Sequence, residues 1–179
     1  MSKRNVEEYK NLNYNSLPNC GMCVGLVDDN SYDDWKVSFT GPSDTSYKGG
    51  LFFLRIHFPP VYPNKAPEIY FITPIYHLNI NPCAPKKEGD ESLGYVCISN
   101  LIWWRPEYTI KEVLLNIYSL FYIANVECAY GINRAKEYKE NREVYEYKVK
   151  YFTQKYAKPQ NKKNCTQSYE RDKDWDFNL

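Results

Sequence analysis

The chain has 179 residues, enough for one domain with a tail, and 23 Lys and Arg stand against 22 Asp and Glu for a net charge of +1. That balance argues against a broad nucleic-acid surface, which is usually strongly basic, and no apolar run approaches the roughly 20 residues of a membrane span. The opening Met1-Ser2-Lys3-Arg4-Asn5 reads as no secretory signal, and Ser2 stands where N-myristoylation requires glycine.

Residues 3 to about 13 are predicted to form a short amphipathic helix, with Val6, Tyr9 and Leu12 on one face and Glu7, Glu8 and Lys10 opposite. Asn13, Asn15 and Pro18 end it. Met22 to Val27 is a short apolar strand closed by a turn at Asp28-Asp29-Asn30. From Asp34 to Thr40 the residues alternate, Trp35, Val37 and Phe39 against Lys36, Ser38 and Thr40, as in a half-buried antiparallel strand. Gly41-Pro42-Ser43-Asp44 is a turn. Gly49-Gly50 leads into a strand over 51–58, stopped by Pro59-Pro60, and 69–72 is a fourth strand. Four strands on short loops predict a meander.

Residues 73 to about 108 are predicted to be irregular, being too rich in Pro, Asn and Gly for helix or strand, and a loop of that length is usually functional. From Thr109 the period becomes helical, with Ile110, Val113, Leu114, Ile117, Leu120 and Phe121 at spacings of three and four. Thr109 is the expected N-cap, with Glu112 closing a capping box. Two more helices are expected at about 132–139 and 141–156. The expected layout is therefore α+β: an N-terminal helix, a four-stranded antiparallel sheet, a long loop, then three helices. The domain is placed at 1–157 and a polar, mobile tail at 158–179.

Within the irregular stretch Cys97 lies between Val96 and Ile98, with His77 and Asn79 upstream. The residues alone allow a nucleophile with a possible oxyanion donor, or a small apolar cysteine packed in a loop. The six cysteines are scattered, which favours reduced thiols in the cytoplasm or nucleus over a disulfide framework. Cys20 and Cys23 have the spacing of half a zinc site, but His57 and His77 are the only histidines, so no metal is expected. Cys83 is a rival nucleophile without flanking glycine and apolar residues.

Several ordered motifs over about residues 1–157 resemble those of the ubiquitin-conjugating enzymes. Trp35 to Gly41-Pro42 is similar to the family's tryptophan strand and its turn. Tyr47-Lys48-Gly49-Gly50-Leu51-Phe52 is similar to the Tyr-x-Gly-Gly-x-Phe signature, and Phe58-Pro59, Tyr62-Pro63 and Pro67 to the proline-rich loop. Tyr76-His77-Leu78-Asn79 resembles the His-Pro-Asn motif, Gly94 to Ile98 the nucleophile segment, and Trp104-Arg105-Pro106 the loop after it. The resemblance implies an acyl transferase of an ATP-dependent cascade, with no cofactor of its own. Cys97 would accept ubiquitin, or a ubiquitin-like modifier, as a thioester from an activating enzyme, and a ligase would direct its onward transfer. It also implies that Asn79 serves the oxyanion or supports the loop, and that His77 is structural. Ligase contacts would map to Lys3 and Arg4 on the first helix, to Asn64, and to Arg105, Pro106 and Glu107. Neither a nucleic acid nor a membrane is an expected partner.

The sequence departs from the family pattern at four places. Leu78 replaces the motif proline and neither fixes φ nor removes an N–H. The gap from His77 to Cys97 is about ten residues longer than usual. The extra stretch, placed at 82–93, reads as a solvated insertion, or as a lip where Glu88, Asp90 and Glu91 attract arginines of the donor's tail. The segment between Cys97 and Trp104 is short. Where family members carry acidic residues that help an incoming lysine, the chain has Ser99 and Cys128, with Glu127 beside the latter. The expectation is efficient loading of Cys97, weak discharge to free lysine, and better transfer to a ligase cysteine. The other readings are a conjugating enzyme for a ubiquitin-like modifier and a catalytically weak adaptor of the same fold.

Overall fold

The computed structural model describes residues 3–14, 21–81 and 93–158. Helix α1 (Lys3–Tyr14) is followed by strands β1 (Cys23–Asp28), β2 (Ser31–Thr40), β3 (Leu51–His57), β4 (Glu68–Phe71) and β5 (Leu93–Tyr95). Then come α2 (Ser99–Ile102), α3 (Ile110–Ser119), a single 3-10 turn (Val126–Cys128), α4 (Ile132–Glu140) and α5 (Arg142–Tyr156). The expected insertion lies outside the described residues except for residue 93, and the expected tail except for Lys158; Cys20, Cys83 and Cys165 lie outside as well.

The sheet has five strands, not four, in the order β1-β2-β3-β4-β5, each antiparallel to the next. The added strand, β5, falls inside the stretch expected to be irregular. It spans three residues, too few for alternation to register, and its centre is Gly94 at φ 84°. A Cβ at Gly94 would sit 2.1 Å from the Asn81 carbonyl oxygen, so only glycine allows this approach. Helix α2 also falls in that stretch, a single turn without a side-chain cap at Ile98.

The core follows from the alternation in β2 and β3. Trp35, Val37 and Phe39 pair in register with Ile56, Leu54 and Phe52, and all six are fully buried. Ile110, Val113, Leu114 and Ile117 of α3 cover the core from the helical side. Thr109 caps α3 with the complete reciprocal box to Glu112. Phe121, just past α3, packs on Tyr47 (ring centroids 4.5 Å), Phe39 (5.0 Å) and Phe52 (5.3 Å), and reaches His77 at 6.1 Å. That aromatic contact ties the core to the segment that carries the candidate site.

Candidate active site

Residues 77–80 are buried, so each of their backbone polar groups needs a partner. The neighbouring elements supply them. The Leu78 N–H donates to the Tyr145 hydroxyl of α5 at 3.2 Å, and the Leu78 carbonyl accepts the Tyr130 N–H at 2.7 Å. Arg134 of α4 donates to the carbonyls of His77 and Ile80, both at 3.3 Å. The Asn79 carbonyl accepts the Cys97 N–H at 2.8 Å. The segment is therefore held from α4, α5, the 125–131 loop and the Cys97 backbone together.

His77 is buried, and both of its ring nitrogens are occupied. Nε2 donates to the Leu120 carbonyl at 3.0 Å, while Nδ1 accepts the Asn79 N–H at 2.9 Å. These bonds require a neutral ring protonated on Nε2. Burial pushes its pKa down to about 4; the Leu120 bond works in the opposite direction and the Arg134 charge adds to the fall. Such a ring has no free nitrogen to take a proton from Cys97.

Asn79 is fully buried and bonds the 125–128 loop at both ends. Its Nδ2 donates to the carbonyls of Asn125 at 2.6 Å and Cys128 at 3.0 Å, and its Oδ1 accepts the Asn125 N–H at 2.8 Å. Both amide hydrogens are committed to carbonyls in this arrangement.

Cys97 lies just beyond β5, with Val96 and Ile98 buried on either side of it and its own side chain half-exposed. An isolated bridge pairs Ile80 with Val96, which fixes the height of Cys97 against the bracketed segment. Its thiol is pushed up to about 11, first by burial and then by the charge and hydrogen bond of the Cys128 side chain. Cys97 and Cys128 are thus side-chain neighbours. Glu127 is exposed and is not among the groups acting on Cys97; its N–H instead bonds the Asn125 side chain at 2.9 Å. Ser99 is exposed at the start of α2.

Four of the remaining expected positions lie on two loops joined by Trp104. Its indole N–H donates to the Pro63 carbonyl at 2.6 Å and its ring meets Tyr62 at 5.9 Å, joining the loop of Asn64 to the loop of Arg105, Pro106 and Glu107. These four residues are exposed. Lys3 is exposed too, whereas Arg4 pairs with Glu8 at 2.7 Å. The sequence pattern places Glu8 on the face of α1 opposite the apolar one. Glu8 is buried, accepting from the Tyr62 hydroxyl and the Ile110 N–H, both at 2.6 Å, so it fastens α1 to the first loop and to α3. Its position four residues after Arg4 was the available signal. Tyr130 was also passed over; its hydroxyl lies within electrostatic reach of Cys97, Tyr95 and Cys128. No group of three or more His, Cys, Asp or Glu among the described residues could hold a metal, and none of their helices is long and apolar enough to cross a membrane.

A family model described as ubiquitin-conjugating enzyme matches residues 4–153. The chain is 35% identical over 135 residues to the Arabidopsis thaliana protein named ubiquitin-conjugating enzyme E2 13, a match covering 72% of this chain and 80% of the relative.

Proposed function

The chain belongs to the ubiquitin-conjugating enzyme family, a family of transferases, and on that premise we propose that Cys97 is its acyl acceptor. The Cys97 sulfur, as thiolate, attacks the carbonyl carbon of ubiquitin's thioester on the activating enzyme. The activating enzyme's sulfur leaves and takes up the proton that Cys97 gave to solvent. A ligase then directs the acyl group to an amine or a second thiol. The observation that carries the reading is the half-exposed Cys97 thiol on a backbone hydrogen-bonded to a fully braced segment. A fixed nucleophile is what acyl exchange between two large partners requires. Asn79 acts here by holding the Cys128 loop, and His77 by holding Asn79.

The acceptor preference follows from what stands beside the sulfur. A free lysine of pKa about 10.4 is only about 0.1% neutral near pH 7.4. The side chain beside Cys97 is a thiol, not a carboxylate that could orient a lysine and take its proton as it attacks. Transfer to a cysteine, as on a ligase, is therefore faster than transfer to free lysine. The ligase meets the face built by α1, Asn64 and Arg105–Glu107, and the protein works in the cytoplasm or nucleus, where thiols are reduced at rest and any disulfide is transient.

The test is a non-reducing gel of the protein with ATP, an activating enzyme and labelled ubiquitin, followed by a chase with free lysine or free cysteine. A thiol-sensitive adduct absent from Cys97→Ala is expected, discharging faster to cysteine. An adduct that survives in Cys97→Ala refutes the acceptor; equal discharge refutes the preference.

A further inference from the structure

We propose that Cys97 and Cys128 form a reversible disulfide, so that the acceptor thiol is a built-in oxidation site with its own resolving partner. The two residues are 31 positions apart in sequence, yet one residue, Asn79, bonds the backbone of both. Asn79 takes the Cys97 N–H on its backbone carbonyl at 2.8 Å and gives its Nδ2 hydrogen to the Cys128 carbonyl at 3.0 Å. A second strap, from the Tyr130 N–H to the Leu78 carbonyl at 2.7 Å, holds the loop two residues beyond Cys128. The two thiols that result act on one another electrostatically, and both are free and partly exposed. Two thiols held on one bracket and open to solvent can close into a disulfide, and a small oxidant can reach them.

With hydrogen peroxide as oxidant the chemistry balances. One of the two sulfurs, as thiolate, attacks a peroxide oxygen, giving a sulfenic acid and hydroxide. The second thiol attacks that sulfenic sulfur, the S–S bond forms, and the oxygen leaves as water. The two thiols supply the two electrons that reduce one peroxide to two waters. The raised pKa of Cys97 keeps its thiolate scarce at neutral pH, so oxidation begun at that sulfur quickens as pH rises. While the bond exists Cys97 cannot accept an acyl group, and a dithiol reductant restores it. The bond also protects Cys97 from the sulfinic and sulfonic states, which simple reductants cannot reverse.

The consequence for loading rests on Cys97 being the acceptor, whereas the bond itself is read separately. The full chain, reduced and then exposed to hydrogen peroxide, is alkylated, digested without reductant and mapped by mass. A Cys97–Cys128 peptide pair two hydrogens lighter than its parts is expected. The same treated sample is expected to lose loading with ubiquitin and regain it after dithiothreitol. In Cys128→Ser, scored against its own untreated loading, peroxide is expected to carry Cys97 to sulfinic acid, so dithiothreitol fails to restore it. The proposal is overturned if Cys97 pairs with another cysteine, if it stays alkylatable while the protein inactivates, or if Cys128→Ser recovers as fully as the parent. A mapped pair in a protein that never loads when reduced would leave the disulfide standing and remove the acceptor role instead.

Discussion

Replacing Asn79 by alanine separates two roles for this amide, because one acts on stability and the other only on rate. The side chain makes three hydrogen bonds to the 125–128 loop, at 2.6, 2.8 and 3.0 Å. Each contributes about 1 kcal/mol net, and more where a group is left buried without a partner. Asn125 and Cys128 are half-exposed, so water recovers part of the loss. A destabilisation of about 2–3 kcal/mol is expected, which for a chain of this length lowers Tm by roughly 4–12 °C. Asn79→Asp is expected to be at least as damaging, since it keeps the acceptor for the Asn125 N–H but sets a carboxylate against two carbonyl oxygens. The assay is thermal unfolding of the reduced protein, run beside single-turnover discharge of the loaded thioester. If Asn79→Ala melts with the parent while discharge to lysine collapses, the amide serves the oxyanion and the bracing argument fails.

Four further outcomes follow from the same network. His77 has an ordinary pKa of about 6.5, held near 4 in the fold, so the unfolded chain binds the proton first and stability is lost as pH falls from 6.5 toward 4. The loss reaches about 3 kcal/mol, and a His77→Asn variant whose acid denaturation curve is as steep as the parent's would contradict it. Glu8→Ala removes the one buried carboxylate that accepts from Arg4, Tyr62 and Ile110, and is expected to cost about 3 kcal/mol in urea unfolding; a change near zero would mean that water replaces the carboxylate. Tyr145→Phe leaves the Leu78 N–H buried without its acceptor and is expected to cost about 1–3 kcal/mol; amide exchange at Leu78 no faster than in the parent would speak against this. Cys128→Asp sets a carboxylate beside the thioester to take the lysine's proton as it attacks, and is expected to raise discharge to free lysine on the order of a hundredfold; unchanged discharge would show that the missing carboxylate is not the limit.

The sequence made legible whatever one face of one element decides. Trp35, Val37 and Phe39 alternate because only one side of β2 meets the core, and Thr109 with Glu112 names the start of α3 within four residues. It hid β5, where Gly94 interrupts a strand too short to show a period. It could place Asn79 near Cys97 but could not choose its bonding partners, which lie 46 and 49 residues downstream. Glu8 reads as lying opposite the apolar face of α1, because a helical wheel does not show what a helix docks against. Glu8 is turned toward Tyr62 and the first turn of α3, and Arg4 follows it.

Leu78 in place of the motif proline leaves φ unfixed and an N–H to satisfy, and the fold answers both from a distance. Proline stiffens such a segment locally, by fixing φ and by having no N–H to satisfy. Leucine brings an N–H into a buried stretch, where leaving it unpaired costs about 1–3 kcal/mol. That donor is met by a hydroxyl 67 residues away on α5, and the leucine side chain is itself fully buried, a burial that contributes about 1.5–3 kcal/mol. Rigidity that the family pattern draws from a ring is drawn here from tertiary contact. The position of Asn79, and through it the approach of Cys128 to Cys97, therefore depends on α5 being docked, and loosening that helix should reach the sulfur before it unfolds the sheet.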